Sequence, residues 1–394
     1  MRLKESSIMA DHACIIRQRD YYELGLRREA ETLRDAGFKV DIICLQQEGR
    51  QSVEEDNGVR LHRLPLNRKK GNILRYIWDY FSFFILSAIK VTQLYRKHPY
   101  KVIQVNTMPD FLVFATLIPR LLGAKIIVFM KEPTPELGAT LHKSSLMPPM
   151  LKIIEQLALK YAHSAFTVTQ QLKDRYVSRG AKADKIHVVL NAVDARHLLE
   201  IDAPFSPDPS YFTLICHGAV EERYGHDTIL EAIKLIRTQI PNLRLRIMGI
   251  GSYVEPVEEL IKELELKDCV EYLGWVSMPR LVEELCKANV GLVAQKSSPY
   301  SNLVHTYKMY EYIIFGKPAI ISRLESVASY FDDSSMYYFE PNNPQSLAEA
   351  IVDLYQHPEK SQELIANARK LYQLYCWDKQ SEIFLKIYRD LSKT

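Results

Sequence analysis

A lysine and a glutamate three residues apart, Lys308 and Glu311, stand in the stretch 301–321, SNLVHTYKMYEYIIFGKPAII. The stretch opens polar, crosses a short helical run, breaks at Gly316-Lys317-Pro318 and enters an apolar strand at Ala319-Ile320-Ile321. Residues three apart on a helix share a face. An ammonium and a carboxylate therefore point together toward the helix start, where free backbone N–H groups already favour an anion. A ligand that carries both a phosphate and a hydroxyl-rich sugar, such as a nucleotide diphosphate, meets both side chains. The same spacing fits an ordinary Lys–Glu pair on a solvated helix face, and only the rest of the chain separates the two readings.

A second candidate is Glu132 in Lys131-Glu132-Pro133-Thr134-Pro135-Glu136, directly after the apolar run Lys125–Phe129. Two prolines predict a loop there, at the carboxyl end of a parallel strand. Ligands of open α/β sheets bind at that edge. Glu132 is thus either a site acid or a loop carboxylate in water. Gly249-Ile250-Gly251 lies between a predicted strand and helix and invites comparison with a dinucleotide fingerprint. Val254 occupies the third glycine's place, although Glu271, about 20 residues on, mimics the ribose-binding acid. With no comparable loop in the first half, NAD is not expected. The chain has no Asp-x-Asp and no Cys/His cluster at ligand spacing, so neither a metal nor another cofactor is expected. Cysteines 14, 44, 216, 269, 286 and 376 are scattered without CxxC pairs, which points to reduced thiols.

Side chains so placed need a scaffold, and the chain is long enough for two cores. It has 394 residues, 47% hydrophobic and 25% charged, and a net charge of +3, too small for nucleic acid to be the main partner. No leader pattern begins the chain. The most apolar run, Tyr80 to Ile89 between Asp79 and Lys90, is about half the ~20 residues a bilayer requires. A cytoplasmic location is expected.

Strand and helix signals alternate throughout. His12–Arg17 reads as a strand, Leu24–Leu33 as a helix ending at Gly37, and Phe38–Leu45 as a strand apolar on both faces, as buried parallel sheets require. Lys101–Val105 and Lys125–Phe129 are further strands joined through a helix near Leu112–Leu122. Ala165–Thr169, a helix to Gly180 and Ile186–Leu190 complete the first half. The proline-rich 200–210 stretch reads as a linker. The second half restarts with strands Phe212–Cys216, Leu243–Met248, Val270–Leu273 and Val290–Val293. Helices are expected at Asp227–Thr238 and Val254–Leu266, and after Phe339-Glu340-Pro341 at about 345–356, 359–373 and 379–391. The predicted fold is α/β: two Rossmann-like, doubly wound parallel-sheet domains, 1–200 and 201–378, facing a cleft, with a C-terminal helix, 379–394, crossing back to the first.

From Asn57 to Trp78 there are seven basic or imidazole side chains (Arg60, His62, Arg63, Arg68, Lys69, Lys70, Arg75) and no acid. The helix that follows carries Ile73, Ile77, Tyr80, Phe84, Ala88 and Val91 at helical spacing, with Phe81, Phe83, Ile85 and Leu86 around much of the rest. Such a segment lies on an anionic membrane surface, or is a solvated loop leading into a buried helix. Both readings stay open.

In order, these motifs resemble a retaining glycosyltransferase of the GT-B fold, family 4 or group 1, over nearly the whole length. Phe166–Asp194 is similar to the family's segment closing the first domain, with NAVD at its end. His217–Ala232 resembles its phosphate-binding loop, Val270–Val293 carries its Gly-Trp-Val step, 308–321 its Lys-x-x-Glu-Tyr…Gly-Lys-Pro, and Glu340–Tyr355 its tail helix. The resemblance implies that Arg223 contacts the donor diphosphate assisted by Lys308, that Glu311 binds the ribose hydroxyls, and that Gly218 lets the backbone approach the phosphates, with Gly249 and Gly251 in the neighbouring loop. It places Glu132, with Glu136 behind it, near sugar or acceptor.

Three positions depart from the family's pattern. Leu303 stands where its first glutamate is usual, Tyr224 where a basic residue precedes the loop glycine, and Arg17-Gln18-Arg19-Asp20 where a glycine-rich loop often follows strand one. The last makes Arg17 a candidate acceptor-side ligand. The implied activity is retaining, metal-independent transfer from a nucleotide-diphosphate sugar; the basic first half and the aromatic helix lean toward a glycan, lipid-linked or polysaccharide-precursor acceptor, and peripheral contact with an anionic inner-membrane face is one of the two readings open for them. The alternative is a non-catalytic, nucleotide-sugar- or membrane-binding subunit of the same fold, a reading to which Leu303 lends support.

Overall fold

Short β-branched runs alternating with amphipathic helices produce two parallel sheets in the computed structural model, which describes residues 11–22, 24–66, 73–141, 147–201 and 208–393. The chain divides into Met1–Leu190 with Gln380–Thr394, and Asn191–Lys379. The sequence reading put the division at 200/201, in a linker of which 202–207 lie outside the described residues.

In the N-terminal unit, β1 (His12–Arg17), α1 (Leu24–Asp35) and β2 (Lys39–Leu45) form the first βαβ unit, as expected. An antiparallel hairpin of β3 (Val53–Asp56) and β4 (Val59–Leu64) follows, then α2 (Ile73–Lys97) and β5 (Val102–Asn106). A 3-10 turn (Asp110–Thr116) runs into α3 (Leu117–Leu121), then β6 (Lys125–Met130), α4 (Thr134–Leu141) and α5 (Met147–Tyr161). β7 (Ser164–Thr167), α6 (Gln170–Ser178) and β8 (Ile186–Val188) complete the sheet, in the order β3-β4-β2-β1-β5-β6-β7-β8. Ala13, Cys14, Ile15 and Ile16 of the central strand have no solvent contact, which is why it reads as a continuous apolar run.

The basic stretch is not the solvated loop expected of it. Residues 59–64 are a strand, not a loop: Arg63 is buried against Glu54 at 2.7 Å, and His62 Nε2 meets Asp41 Oδ1 at 2.8 Å. Arg68, Lys69 and Lys70 lie outside the described residues. Of the apolar set at helical spacing on α2, Val91 faces the core and Ile77 does not. Phe83, Ser87, Val91 and Tyr95 are buried, four residues apart, whereas Ile77 is exposed. The loop expected over 131–136 is shorter than predicted, because α4 already begins at Thr134. Pro135 sits in its first turn, where a missing N–H costs nothing.

The C-terminal unit begins with α7 (Arg196–Leu199) and β9 (Phe212–His217), followed by α8 (His226–Ile236), β10 (Leu243–Met248), α9 (Val254–Glu263) and β11 (Val270–Tyr272). It continues with α10 (Met278–Lys287), β12 (Val290–Val293), α11 (Lys308–Ile314), β13 (Ala319–Ser322), α12 (Glu325–Ala328) and β14 (Tyr337–Phe339). The order β11-β10-β9-β12-β13-β14 is all parallel and reverses between β9 and β12, the switch point where α/β sheets bind ligands. α13 (Pro344–Gln356) and α14 (Pro358–Tyr375) pack on this unit, Leu347 and Ile351 entering one core cluster and Ala368 the other. The last helix, α15 (Trp377–Ser392), returns to the N-terminal unit as expected. Gln380 accepts from Leu190 N at 2.9 Å, Phe384 packs on Phe166, and Tyr388 donates to Gln104 at 2.9 Å.

Candidate active site

At the end of β9 the backbone turns at Gly218, whose φ of +102° strains any residue with a Cβ. A Cβ there would also run into the stem of Lys308 and lie 3.0 Å from its Nζ. The loop after β10 lies against this turn: a Cβ on Gly249 would strike the Gly218 carbonyl, and one on Gly251 that of Val220. Gly218, Gly249 and Gly251 are therefore needed for close backbone packing at the carboxyl end of the sheet.

Lys308, at the first turn of α11, crosses beneath this loop and is only 7% exposed. Its ammonium lies 4.5 Å from the Tyr224 ring centroid, and the Arg223 guanidinium stands 4.9 Å from the same ring. Among the described residues neither cation makes an ion pair, and Arg223 Nε is buried with no hydrogen-bond partner. Burial pulls the Lys308 pKa down, and the neighbouring Arg223 charge adds to that, against the pull of Cys216 and Glu311. Two cations share one aromatic ring at a switch point, beside the start of α8. An anion would relieve their repulsion and meet donors already in place.

Glu311, 2% exposed, does not pair with Lys308. Its Oε2 takes a 2.5 Å hydrogen bond from His217 Nε2, while His217 Nδ1 meets Tyr312 Oη at 3.1 Å. Tyr312 in turn donates to Ile215 O at 3.2 Å. The carboxylate is thereby fixed at the end of β9, with Oε1 taking no hydrogen bond among the described residues. His217 was missed in the sequence. Its signal was its place, last in a strand and next to the turn glycine. His226 was missed too: its imidazole, 3.8 Å from Cys216 Sγ, is pulled down to about 4 by burial and by Lys308, and so stays neutral. Leu303 is buried in the loop before α11.

The N-terminal unit has its own polar group at the carboxyl ends of β1, β5 and β6. Lys131 Nζ meets Glu29 Oε1 at 2.5 Å, and Glu29 Oε2 accepts from Gln104 at 2.8 Å and Asn106 at 2.9 Å. Burial first, with Arg17 and Arg28 nearby, pulls Lys131 down to about 8 despite Glu29. Arg17 ends β1 beside this group: a Cβ on Gly25 would lie 3.6 Å from Arg17 Nη1 and 3.4 Å from Lys131 Nζ. Glu132 is half-buried, its carbonyl taking the Tyr176 hydroxyl at 3.4 Å. Glu136 is instead tied to Arg179, which also holds Glu155 at 2.8 Å. Nothing in the sequence marked Lys131 or Glu29, whose partners lie 102 residues apart.

Two family models match the chain: "Glycosyl transferases group 1" over residues 200–371 and "Glycosyl transferase 4-like domain" over 23–192. A 2-deoxystreptamine N-acetyl-D-glucosaminyltransferase of Niallia circulans is 23% identical over 275 residues, 63% of this chain and 67% of that one. An uncharacterized glycosyltransferase of Methanocaldococcus jannaschii is 24% identical over 176 residues, covering 44% of this chain and about half (47%) of the relative. Among solved structures, sucrose-phosphate synthase of Thermosynechococcus elongatus superposes with a TM-score of 0.77 at 19% identity, covering 97% of this chain and 99% of that one. Anabaena HepE in complex with UDP-glucose superposes with a TM-score of 0.73 at 14% identity, covering 96% and 99%.

Proposed function

The chain belongs to the group 1, family 4 glycosyltransferases of GT-B fold, and from that premise we propose that it transfers a sugar, with retention, from a nucleoside-diphosphate donor to a glycan or lipid-linked acceptor. The observation that carries this reading is the pair of cations, Arg223 and Lys308, sharing the Tyr224 ring with no carboxylate partner among the described residues. They supply what a leaving diphosphate requires. HepE, similar in fold, is described in complex with UDP-glucose, which agrees with a nucleotide-sugar donor.

The chemistry follows from where charge grows. The bond between the anomeric carbon and the β-phosphate oxygen breaks, and its electron pair leaves with the diphosphate. Arg223, Lys308 and the N–H groups opening α8 meet that growing negative charge without rearranging, each contact being worth about 2.7–4 kcal/mol when removed. We assign this charge work to the two cations, with no divalent ion required. The acceptor oxygen bonds to the anomeric carbon from the face the phosphate leaves, and its proton passes to the departing phosphate oxygen. No protein nucleophile takes part. The two-carboxylate geometry of retaining hydrolases is therefore not called for. Glu311, oriented by His217, offers Oε1 to the ribose hydroxyls. Arg17, Lys131 and Glu132 are the acceptor-side candidates.

Thermal-shift screening with UDP-, GDP-, ADP- and dTDP-sugars tests the reading, because a ligand bound only by the native state raises its melting temperature. One donor that stabilises the chain and yields its free diphosphate when an acceptor is supplied is the expected result. No shift with any of them, in protein shown to be folded, contradicts it.

A further inference from the structure

α2 is apolar on the side that faces away from its own core. Ile77, Phe81, Ile85 and Ile89, four residues apart, form an exposed stripe, widened by Trp78 at 64% exposure. The same layer continues it. Tyr95 of α2 donates to Leu122 O at 2.9 Å, Phe84 packs on Phe111, and Arg120 of α3 lies over Tyr161 of α5 at 4.7 Å. These contacts bring α2, α3 and α5 into one layer. On α3, Leu117, Ile118 and Leu121 (72%) are exposed; on α5, Met150, Ile153 (62%) and Leu157 repeat at helical spacing. Ordinary soluble surfaces scatter such side chains singly and do not gather them on three adjoining helices.

The charges of the layer are one-sided. Lys90, Arg96 and Lys97 on α2 and Lys152 and Lys160 on α5 are at least partly exposed. The acids within these helices and the 3-10 turn are Asp79, paired with Arg75 at 3.1 Å, Asp110, buried, and Glu155, buried against Arg179. A second copy of the same face would bring like charges together. A bilayer with anionic headgroups meets both features, taking the apolar side chains into its interfacial zone and the cations at its phosphates.

We propose that the outer face of α2, α3 and α5 seats the N-terminal unit on an anionic lipid bilayer. This deepens the lipid-linked acceptor reading and rests on it for its purpose, while its test needs neither donor nor acceptor. The full chain is sedimented with vesicles of phosphatidylcholine alone and of an equal mixture of phosphatidylcholine and phosphatidylglycerol, at low and high salt. Binding to the anionic vesicles, much weaker on neutral ones and reduced by salt, is expected. Phe81→Gln with Leu121→Gln should lower vesicle affinity at least about tenfold, since each large apolar side chain contributes by its buried area. Lys90→Gln and Lys152→Gln should each lower it about fivefold on anionic vesicles only.

A far-UV circular dichroism spectrum and a cooperative melting transition like those of the wild type report that each variant is folded, and Ile153→Gln alone decides if the double variant is not. Absence of vesicle binding by the wild-type chain overturns the proposal, as does unchanged binding by folded apolar variants. A wild-type dimer that Phe81→Gln with Leu121→Gln splits, without vesicle binding, assigns the face to a second copy and overturns it as well. A wild-type chain that turns over donor yet binds no vesicles marks the failure of this proposal alone, whereas vesicle binding without turnover of any donor marks that of the transfer reading.

Discussion

Replacing Lys308 by methionine should do two opposite things. The ammonium is 7% exposed and without an ion pair among the described residues, resting only on the Tyr224 ring. A buried uncompensated charge costs roughly 3–5 kcal/mol. The ring returns about 1–2 kcal/mol of that. Lys308→Met keeps a flexible apolar stem and removes the charge, so the ligand-free C-terminal unit should gain about 1–4 kcal/mol. Nucleoside diphosphate affinity should fall about 10- to 100-fold, the worth of a charge-assisted contact.

The sign with pH provides a second check. Burial holds the folded-state pKa of Lys308 below its usual 10.5. As pH rises between that folded value and 10.5, the unfolded chain binds more protons, so wild-type stability from this group rises with pH. The advantage of Lys308→Met should therefore shrink as pH rises toward 10.5. Urea titrations of both proteins, with and without nucleoside diphosphate, follow the transition that the nucleotide shifts. A variant less stable than wild type without ligand, or one that binds nucleoside diphosphate equally well, refutes the reasoning.

Other substitutions probe the rest of the scaffold. Gly218→Ala places a Cβ on the Lys308 stem at a φ of +102°; it should cost about 1–3 kcal/mol of strain and weaken diphosphate binding at least tenfold by calorimetry. Glu29→Gln leaves Lys131 buried without its carboxylate. It should destabilise the N-terminal unit by about 3–5 kcal/mol in urea, with donor binding unaffected. Acid should weaken the C-terminal unit through His226 and His305, both held at about 4 by burial. Their neutral forms are favoured by folding, so their contribution is complete above the unfolded value of 6.5 and is lost as pH falls toward 4. Each is worth up to about 3 kcal/mol, and His226→Asn should flatten that limb of the pH–stability curve.

The parts of this molecule legible in the sequence are those fixed by local pattern. β1 and β13 are apolar because both their faces are covered, and Gly316 ends α11 where helix must give way to strand. Lys308 and Glu311 were recognised by spacing, yet their partners were not, because Tyr224 and His217 approach across 84 and 94 residues and no local rule encodes that. The β3–β4 hairpin was missed for a related reason. His62 and Arg63 look like part of a solvated run until Asp41 and Glu54 are placed opposite them. On α2 the aromatic residues surround so much of the helix that its inward face was legible only from its neighbours.

The central claim, that Arg223 and Lys308 grip a departing diphosphate, is tested most directly by titrating Arg223→Ala with the nucleoside diphosphate of the preferred donor and with the matching free nucleoside. Wild type should bind the diphosphate far more tightly than the nucleoside. Arg223→Ala should lose most of that difference and about 10²–10³-fold in turnover while remaining folded. A folded Arg223→Ala protein that discriminates the two ligands as wild type does, and turns over as fast, contradicts it.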